Sequence, residues 1–258
     1  MKKLADNVAI ITGASSGIGE AVARLFASEG AAVMIVHHDN PGDAQRIVDE
    51  ITLAGGKARP IAADVRDEAD VEQVFRTTER EFGMPTILVN SAGVDAAGIN
   101  LADMELAHFE NVIRTNLVGP FLFCRAFVRG LKTNKRRGRI INVSSVHEDI
   151  PRAGAADYCA SKGALRNLTR CLALELAEDG TTVNNLAPGM VLTPMNQEAI
   201  DDPEKLKEQV ASIPMKRAAE PDEVAELALY LASRAAGYAS GATFTLDGAL
   251  SMNLGQGA

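Results

Sequence analysis

No stretch of the chain approaches the roughly 20 consecutive apolar residues that a membrane-spanning helix needs. The opening segment carries Lys2 and Lys3 but meets Asp6 before any apolar run of signal length, so no secretory leader is expected. Basic charge is also scarce. With 26 Lys and Arg against 34 Asp and Glu, the formal net charge is -8, and the chain lacks the basic footprint that binding nucleic acid or an anionic membrane requires. A small-molecule partner fits that balance better. Cysteine is sparse and odd in number, at Cys124, Cys159 and Cys171, with no CxxC pair, which points to a reduced chain in the cytoplasm. The four histidines do not cluster with cysteines or carboxylates at ligand spacing, so no metal is predicted. Internal repeats, low-complexity tracts and Pro/Gly-rich linkers are missing too, which favours one domain over residues 1–258.

What is present is an ordinary globular composition, 47% hydrophobic and 23% charged, sufficient for a sizeable core. Short runs rich in β-branched residues occur at 8–12, 32–36, 58–62, 87–90, 139–143, 183–187 and 243–246. Longer segments of helical period lie between them, near 17–29, 43–54, 68–82, 104–131, 155–177 and 220–232, several ending at glycines such as Gly30, Gly55 and Gly83. The alternation predicts an α/β fold, a Rossmann-type doubly wound parallel sheet of about seven strands with helices on both faces. One stretch breaks the pattern: Pro194, Pro203 and Pro214 surround a polar, helix-like segment, and residues 190–215 are expected to act as a substrate lid.

Directly after the first strand the chain reads Thr12, Gly13, Ala14, Ser15, Ser16, Gly17, Ile18, Gly19, and a helical pattern starts at once with Glu20, Val22 and Leu25. Glycines between a strand and a helix let the backbone approach a pyrophosphate, which the helix N-terminus stabilises. The spacing is G-x-x-x-G-x-G rather than G-x-G-x-x-G, and an ordinary strand-to-helix turn is the alternative reading. At the end of the second strand an acid would bond a ribose 2′-hydroxyl, whereas basic groups would favour a 2′-phosphate. His37, His38 and Asp39 stand there, so NAD and NADP both remain open as cofactor. Asp64 and Val65 follow the third strand, and Asn90, Ser91, Ala92 and Gly93 follow the fourth, at the sheet edge where such folds bind ligands. Asp64 suits a bond to an adenine edge, or the capping of the next helix.

After the fifth strand come Ser144 and Ser145, then a loop, then Tyr158 and Lys162 at the start of a long helical pattern. Residues four apart share a helix face, so the Lys162 ammonium is placed to favour the Tyr158 phenolate. Tyr158 would then act as base in oxidation and as acid in reduction, while the Ser145 hydroxyl stabilises the developing charge on oxygen.

These motifs, in this order and spacing, resemble the short-chain dehydrogenase/reductase family over essentially the whole chain. The family's marks are T-G-x-x-x-G-x-G, N-x-A-G, a serine thirteen residues before the tyrosine, and Y-x-x-x-K. The resemblance implies nicotinamide-dependent oxidoreductase activity and adds roles that the residues alone do not suggest. Asn116 would join a proton relay, perturbing the long helix and helping to hold a water. Pro188, Gly189 and Thr193 would contact the nicotinamide half of the cofactor, and Lys162 would bond its ribose. Within the family the segment from Asn142 to Pro151, with Ser145, His147 and Glu148, is similar to bacterial glucose 1-dehydrogenases, as is the glycine-containing tail 255–258. That implies oxidation of β-D-glucose at C1 to gluconolactone in a homotetramer, with His147, Glu148 and Asp95 as candidate sugar contacts. Ser91 and Asp95 depart from the pattern, standing where Asn and Glu are usual. The alternatives are a 3-oxoacyl-thioester reductase, a dehydrogenase of another sugar or secondary alcohol, or a non-catalytic dinucleotide-binding protein.

Overall fold

The computed structural model describes residues 2–96 and 98–253. The tail 255–258, expected to take part in subunit contacts, lies outside the described residues. Seven strands, β1 (Val8–Thr12), β2 (Ala32–His37), β3 (Lys57–Ala62), β4 (Ile87–Asn90), β5 (Arg139–Val143), β6 (Thr182–Pro188) and β7 (Thr243–Leu246), form one parallel sheet in the order β3-β2-β1-β4-β5-β6-β7. Helices α1 (Gly17–Ser28), α2 (Pro41–Leu53), α3 (Glu68–Phe82), α4 (Leu106–Ile113), α5 (Gly119–Asn134), α6 (Ala156–Leu176), α7 (Gln197–Asp201), α8 (Pro203–Val210) and α9 (Pro221–Ala232) complete the chain.

Both faces of the sheet are covered, which is why its central strands read as continuous apolar runs rather than alternating ones. On one face Ile11, Val33 and Ile35 pack with Phe26 of α1, Ile47 of α2 and Leu229 of α9; on the other Ile10, Leu88 and Ile140 pack with Val74 of α3 and Phe123 and Phe127 of α5. From β1 the chain moves outward to β2 on one side and to β4 on the other. The carboxyl ends of β1 and β4 therefore frame the crevice where an open α/β sheet binds its ligand.

The segment 104–131, expected as one helix, is broken by a π turn at Arg114–Val118. Pro120, early in α5, lacks an N–H and crowds the carbonyl four residues back, that of Asn116, so a wider turn relieves the conflict. The polar segment after β6 folds as a 3-10 turn (Pro194–Asn196), α7 and α8, with Asp202 capping α8 through the amides of Glu204 and Lys205. Val191 and Ala219 pair across its base.

A buried polar chain crosses the sheet toward β7. Asn90 donates to the Asn142 carbonyl (2.8 Å), Asn142 to Thr169 Oγ1 (2.8 Å), Thr169 to Asn185 Oδ1 (2.6 Å), and Asn185 to Glu148 Oε2 (2.9 Å); Thr243 donates to Glu148 Oε1 (2.6 Å). It ties β4, β5, β6 and β7 to α6 and to the turn after Ser145. Thr169→Val keeps shape but orphans the Asn142 amide and the Asn185 carbonyl; urea titration should show a loss of about 2 kcal/mol.

Candidate active site

The first loop is built to bring backbone close to backbone. A Cβ at Gly13, whose φ is 64°, would stand 2.8 Å from Ala92 Cα, and one at Gly19 would stand 2.3 Å from the Gly13 carbonyl oxygen. Thr12 Oγ1 fixes the facing loop by accepting from the amides of Ser91 and Ala92, both at 3.0 Å. Ser16, the N-cap of α1, makes no side-chain cap bond, so the first-turn amides keep their donors for a ligand.

From this loop a cleft of about 630 Å³ runs along the strand ends to Tyr158. Its walls include Gly13, Ser15, Ser16, Gly17, Ile18 and Gly19 at one end, His37, His38, Asp64 and Val65 along one side, Ala92 and Gly93 opposite, and Ser145, Tyr158, Lys162, Pro188, Gly189 and Thr193 at the far end. Two buried polar atoms in these walls, His37 Nδ1 and Ser144 Oγ, have no hydrogen-bond partner, and the glycine cradle leaves no room for a Cβ. Unpartnered polar atoms, a helix N-terminus and a backbone-lined wall fit a dinucleotide.

The two histidines at the end of β2 differ. His37 is buried, and burial lowers its pKa, so it is neutral at pH 7. His38 is exposed, with Nδ1 2.7 Å from the Asp39 carboxylate and Nε2 3.9 Å from Asp64. Asp64 lines the cleft, but its carboxylate is gripped by Arg66 (2.7 and 2.9 Å), whose guanidinium holds it below the usual carboxylate range. Asp67, not Asp64, caps α3. Arg66 also lines the cleft and reaches Asn111 at 2.7 Å. Sequence reasoning passed over it, although its position beside Asp64 was a signal.

Four expected contacts are placed elsewhere. Asn90 is not in the cleft wall; its amide is spent on Asn142 and Cys124 inside the sheet. Glu148, a candidate sugar contact, turns inward, where Asn185 and Thr243 donate to its buried carboxylate and Arg166 pairs with it at 3.5 Å. His147 presents its ring edge-on to Tyr158 at 6.1 Å while Nδ1 engages the Ile150 carbonyl at 2.8 Å. Asp95 stands outside the wall, half-exposed, 4.0 Å from Arg152.

At the chemical end Tyr158 is 8% and Lys162 5% exposed, and the ammonium sits 5.4 Å from the phenol ring centroid. Burial pushes the Tyr158 hydroxyl up to about 12, against a hydrogen bond from Ser145 that pulls it down. Lys162 was expected to favour the phenolate, yet the pull that opposes burial comes from Ser145 and Arg152 rather than from Lys162. Burial likewise pulls Lys162 down to about 8, opposed by Glu148 and Asp95. Lys162 Nζ donates to the Val143 carbonyl at 3.0 Å. Asn116, within the π turn, holds Val94 from both sides, accepting from its amide and donating to its carbonyl at 2.9 Å, and donates to Ser161 Oγ at 3.3 Å. A Cβ at Gly93 would lie 3.2 Å from Asn116 Oδ1 and 4.0 Å from Lys162 Nζ, so these two side chains flank one glycine.

A dinucleotide cleft ending at a buried serine, phenol and ammonium defines an oxidoreductase acting on an alcohol or carbonyl. The chain belongs to the short-chain dehydrogenase/reductase family: the family model described as Enoyl-(Acyl carrier protein) reductase matches residues 13–251. It is 36% identical to Glucose 1-dehydrogenase 2 of Bacillus subtilis (strain 168), over 97% of each chain. It is 39% identical to 3beta-hydroxysteroid dehydrogenase 1 of Eggerthella lenta, over 94% of this chain and 93% of that one. A candidate NAD(P) dependent gluconate 5-dehydrogenase from Beutenbergia cavernae, solved with bound NADP at low occupancy, superposes with a TM-score of 0.89 at 33% identity, covering 97% of this chain and 98% of that one. The protein is an NAD(P)-dependent enzyme of this family. Among the described residues no helix is long and apolar enough to cross a membrane.

The lowered pKa of Lys162 has a thermodynamic signature. Between about pH 8 and the unfolded value of 10.5, the unfolded chain binds a proton that the folded chain has lost, so stability rises with pH. Tyr158 acts oppositely, but only above the unfolded tyrosine value of 10. Urea unfolding from pH 8 to 10 should show wild-type stability climbing by up to about 3 kcal/mol relative to Lys162→Met. Parallel curves for the two proteins would refute the buried-ammonium assignment.

Proposed function

We propose that the protein oxidises β-D-glucose at C1 to gluconolactone, with Tyr158 as the proton-transfer group. The observation that carries the catalytic part is the convergence of Ser145, Tyr158 and Lys162 in the wall of one cleft. The 36% identity to a glucose 1-dehydrogenase supports the choice of substrate. When bound, the nicotinamide supplies the hydride acceptor. Tyr158 takes the C1 hydroxyl proton, Ser145 steadies the oxygen as charge develops, and Lys162 favours the ionised phenol and orients the cofactor ribose. Asn116, across Gly93 from Lys162, is assigned to the proton path toward solvent. The glycine loop, Asp64, Val65, Ala92, Gly93, Pro188, Gly189 and Thr193 hold the dinucleotide, with His37 and His38 at its adenosine ribose.

Residues 1–258 act in this reading as one catalytic domain, with 190–215 closing over the substrate. A homotetramer would bury apolar side chains exposed on α4, α5 and α6, namely Leu106, Phe121 and Leu174. The three free cysteines suit a reducing cytoplasm. A second reading, oxidation of a bulkier secondary alcohol, is favoured by the 39% identity to a 3beta-hydroxysteroid dehydrogenase.

Purified protein should reduce NAD or NADP in the presence of β-D-glucose, and Tyr158→Phe should lose at least about a thousandfold in kcat, consistent with removal of a general base, while dinucleotide binding stays within about threefold, a change of well under 1 kcal/mol. Turnover with steroid or other secondary alcohols but not glucose would move the substrate to the second reading and leave the catalytic assignment intact.

A further inference from the structure

Directly before Tyr158 stands Asp157, whose side chain is fully buried. Two contacts satisfy it. Oδ1 accepts the backbone amide of Tyr158 at 2.8 Å, and Oδ2 lies 2.9 Å from Nε2 of His108 on α4. The Tyr158 amide belongs to the first turn of α6, where amides have no intrahelical partner; the first backbone bond of the helix comes one residue later, from Cys159 to Ala155. Among the described residues Asp157 has no other ion-pair partner, so His108, reaching across from a helix 49 positions earlier, is its sole side-chain anchor. Because a carboxylate only accepts, Nε2 must carry the hydrogen.

We infer that His108 and Asp157 form a clamp that positions Tyr158, fixing the start of α6 against α4 so that the phenol meets the substrate oxygen at the required distance and angle. His108 acts through Asp157 and the Tyr158 backbone and touches neither substrate nor cofactor. The second fastening, Ser161 Oγ to the Tyr158 carbonyl at 2.7 Å, lies one turn onward and holds the other side of the same residue. The clamp thus completes the restraint of Tyr158 from its amide side. Its loss misplaces a reacting group without removing any atom from the cleft, and such misplacement is read in kcat rather than in binding. The inference rests on the assignment of Tyr158 as the proton-transfer group, and Tyr158→Phe is measured alongside to test that separately.

The experiment is steady-state kinetics with whichever alcohol the full-length enzyme turns over. His108→Leu should lower kcat about tenfold with KM for alcohol and dinucleotide within twofold, and His108→Gln, whose amide restores a donor near the Nε2 position, should recover kcat to within threefold of wild type. Since His108→Leu leaves a buried carboxylate unpaired, the double variant H108L/D157A serves as the foldable partner. Its kcat should match that of Asp157→Ala alone, because either change opens the same clamp. Wild-type kcat in H108L/D157A, a glutamine variant as impaired as the leucine one, or losses that multiply in the double variant would each overturn the clamp. A Tyr158→Phe enzyme that still turns over would instead overturn the assignment of Tyr158, whatever the His108 variants do.

Discussion

Lys162, only 5% exposed, carries a buried ammonium, and much of the surrounding structure serves to keep it there. Burial alone drives the group toward its neutral form. The Val143 carbonyl and the field of the buried Glu148 carboxylate work against that tendency. Glu148 is itself held by Asn185, Thr243 and Arg166, so the counter-charge of the site is anchored in β6, β7 and α6. A buried ion is tolerated only when its remaining hydrogen-bonding capacity is satisfied, and here that requirement extends from Lys162 to the far edge of the sheet.

The same economy of space governs the cofactor end. Gly13 and Gly19 allow two loops and a helix start to meet at distances no side chain tolerates, and Thr12 pins the facing loop by both of its adjacent amides. Thr193, at the start of the polar excursion, packs 3.1 Å from the Cβ position of Gly17, so the segment that follows begins in contact with the glycine loop. The glycine loop and the base of the 190–215 segment are therefore one packed unit.

The strands were legible because burial on both faces turns each into a short apolar run bounded by polar punctuation. Four of them, at 8–12, 87–90, 139–143 and 243–246, coincide with the observed β1, β4, β5 and β7. The glycine loop and the Tyr158/Lys162 pair were legible as neighbours along the cleft because their placement depends on local spacing. What was not legible depends on partners distant in sequence. Glu148 reads as a polar residue beside an active-site serine, yet its orientation is decided by Asn185 and Thr243, 37 and 95 positions away. Asn90 reads as a cofactor contact, and Asn142, 52 positions on, turns it inward. The π turn at Asn116 follows from a proline four residues later acting on a carbonyl, which periodicity does not register.

The account rests on Tyr158 being a neutral phenol in the protein by itself, with a pKa raised to about 12, that a bound cation brings into working range. The chain holds three tyrosines and no tryptophan, so tyrosinate absorbance is readable without interference from indole. The most direct measurement is an ultraviolet difference titration of wild type against Tyr158→Phe, with and without the oxidised dinucleotide. Ionisation of Tyr158 near the top of the accessible range in the free protein, falling by two pH units or more on dinucleotide binding, is the predicted result. A phenol that titrates at the same pH in both states would contradict the proposed division of labour among Ser145, Tyr158 and Lys162.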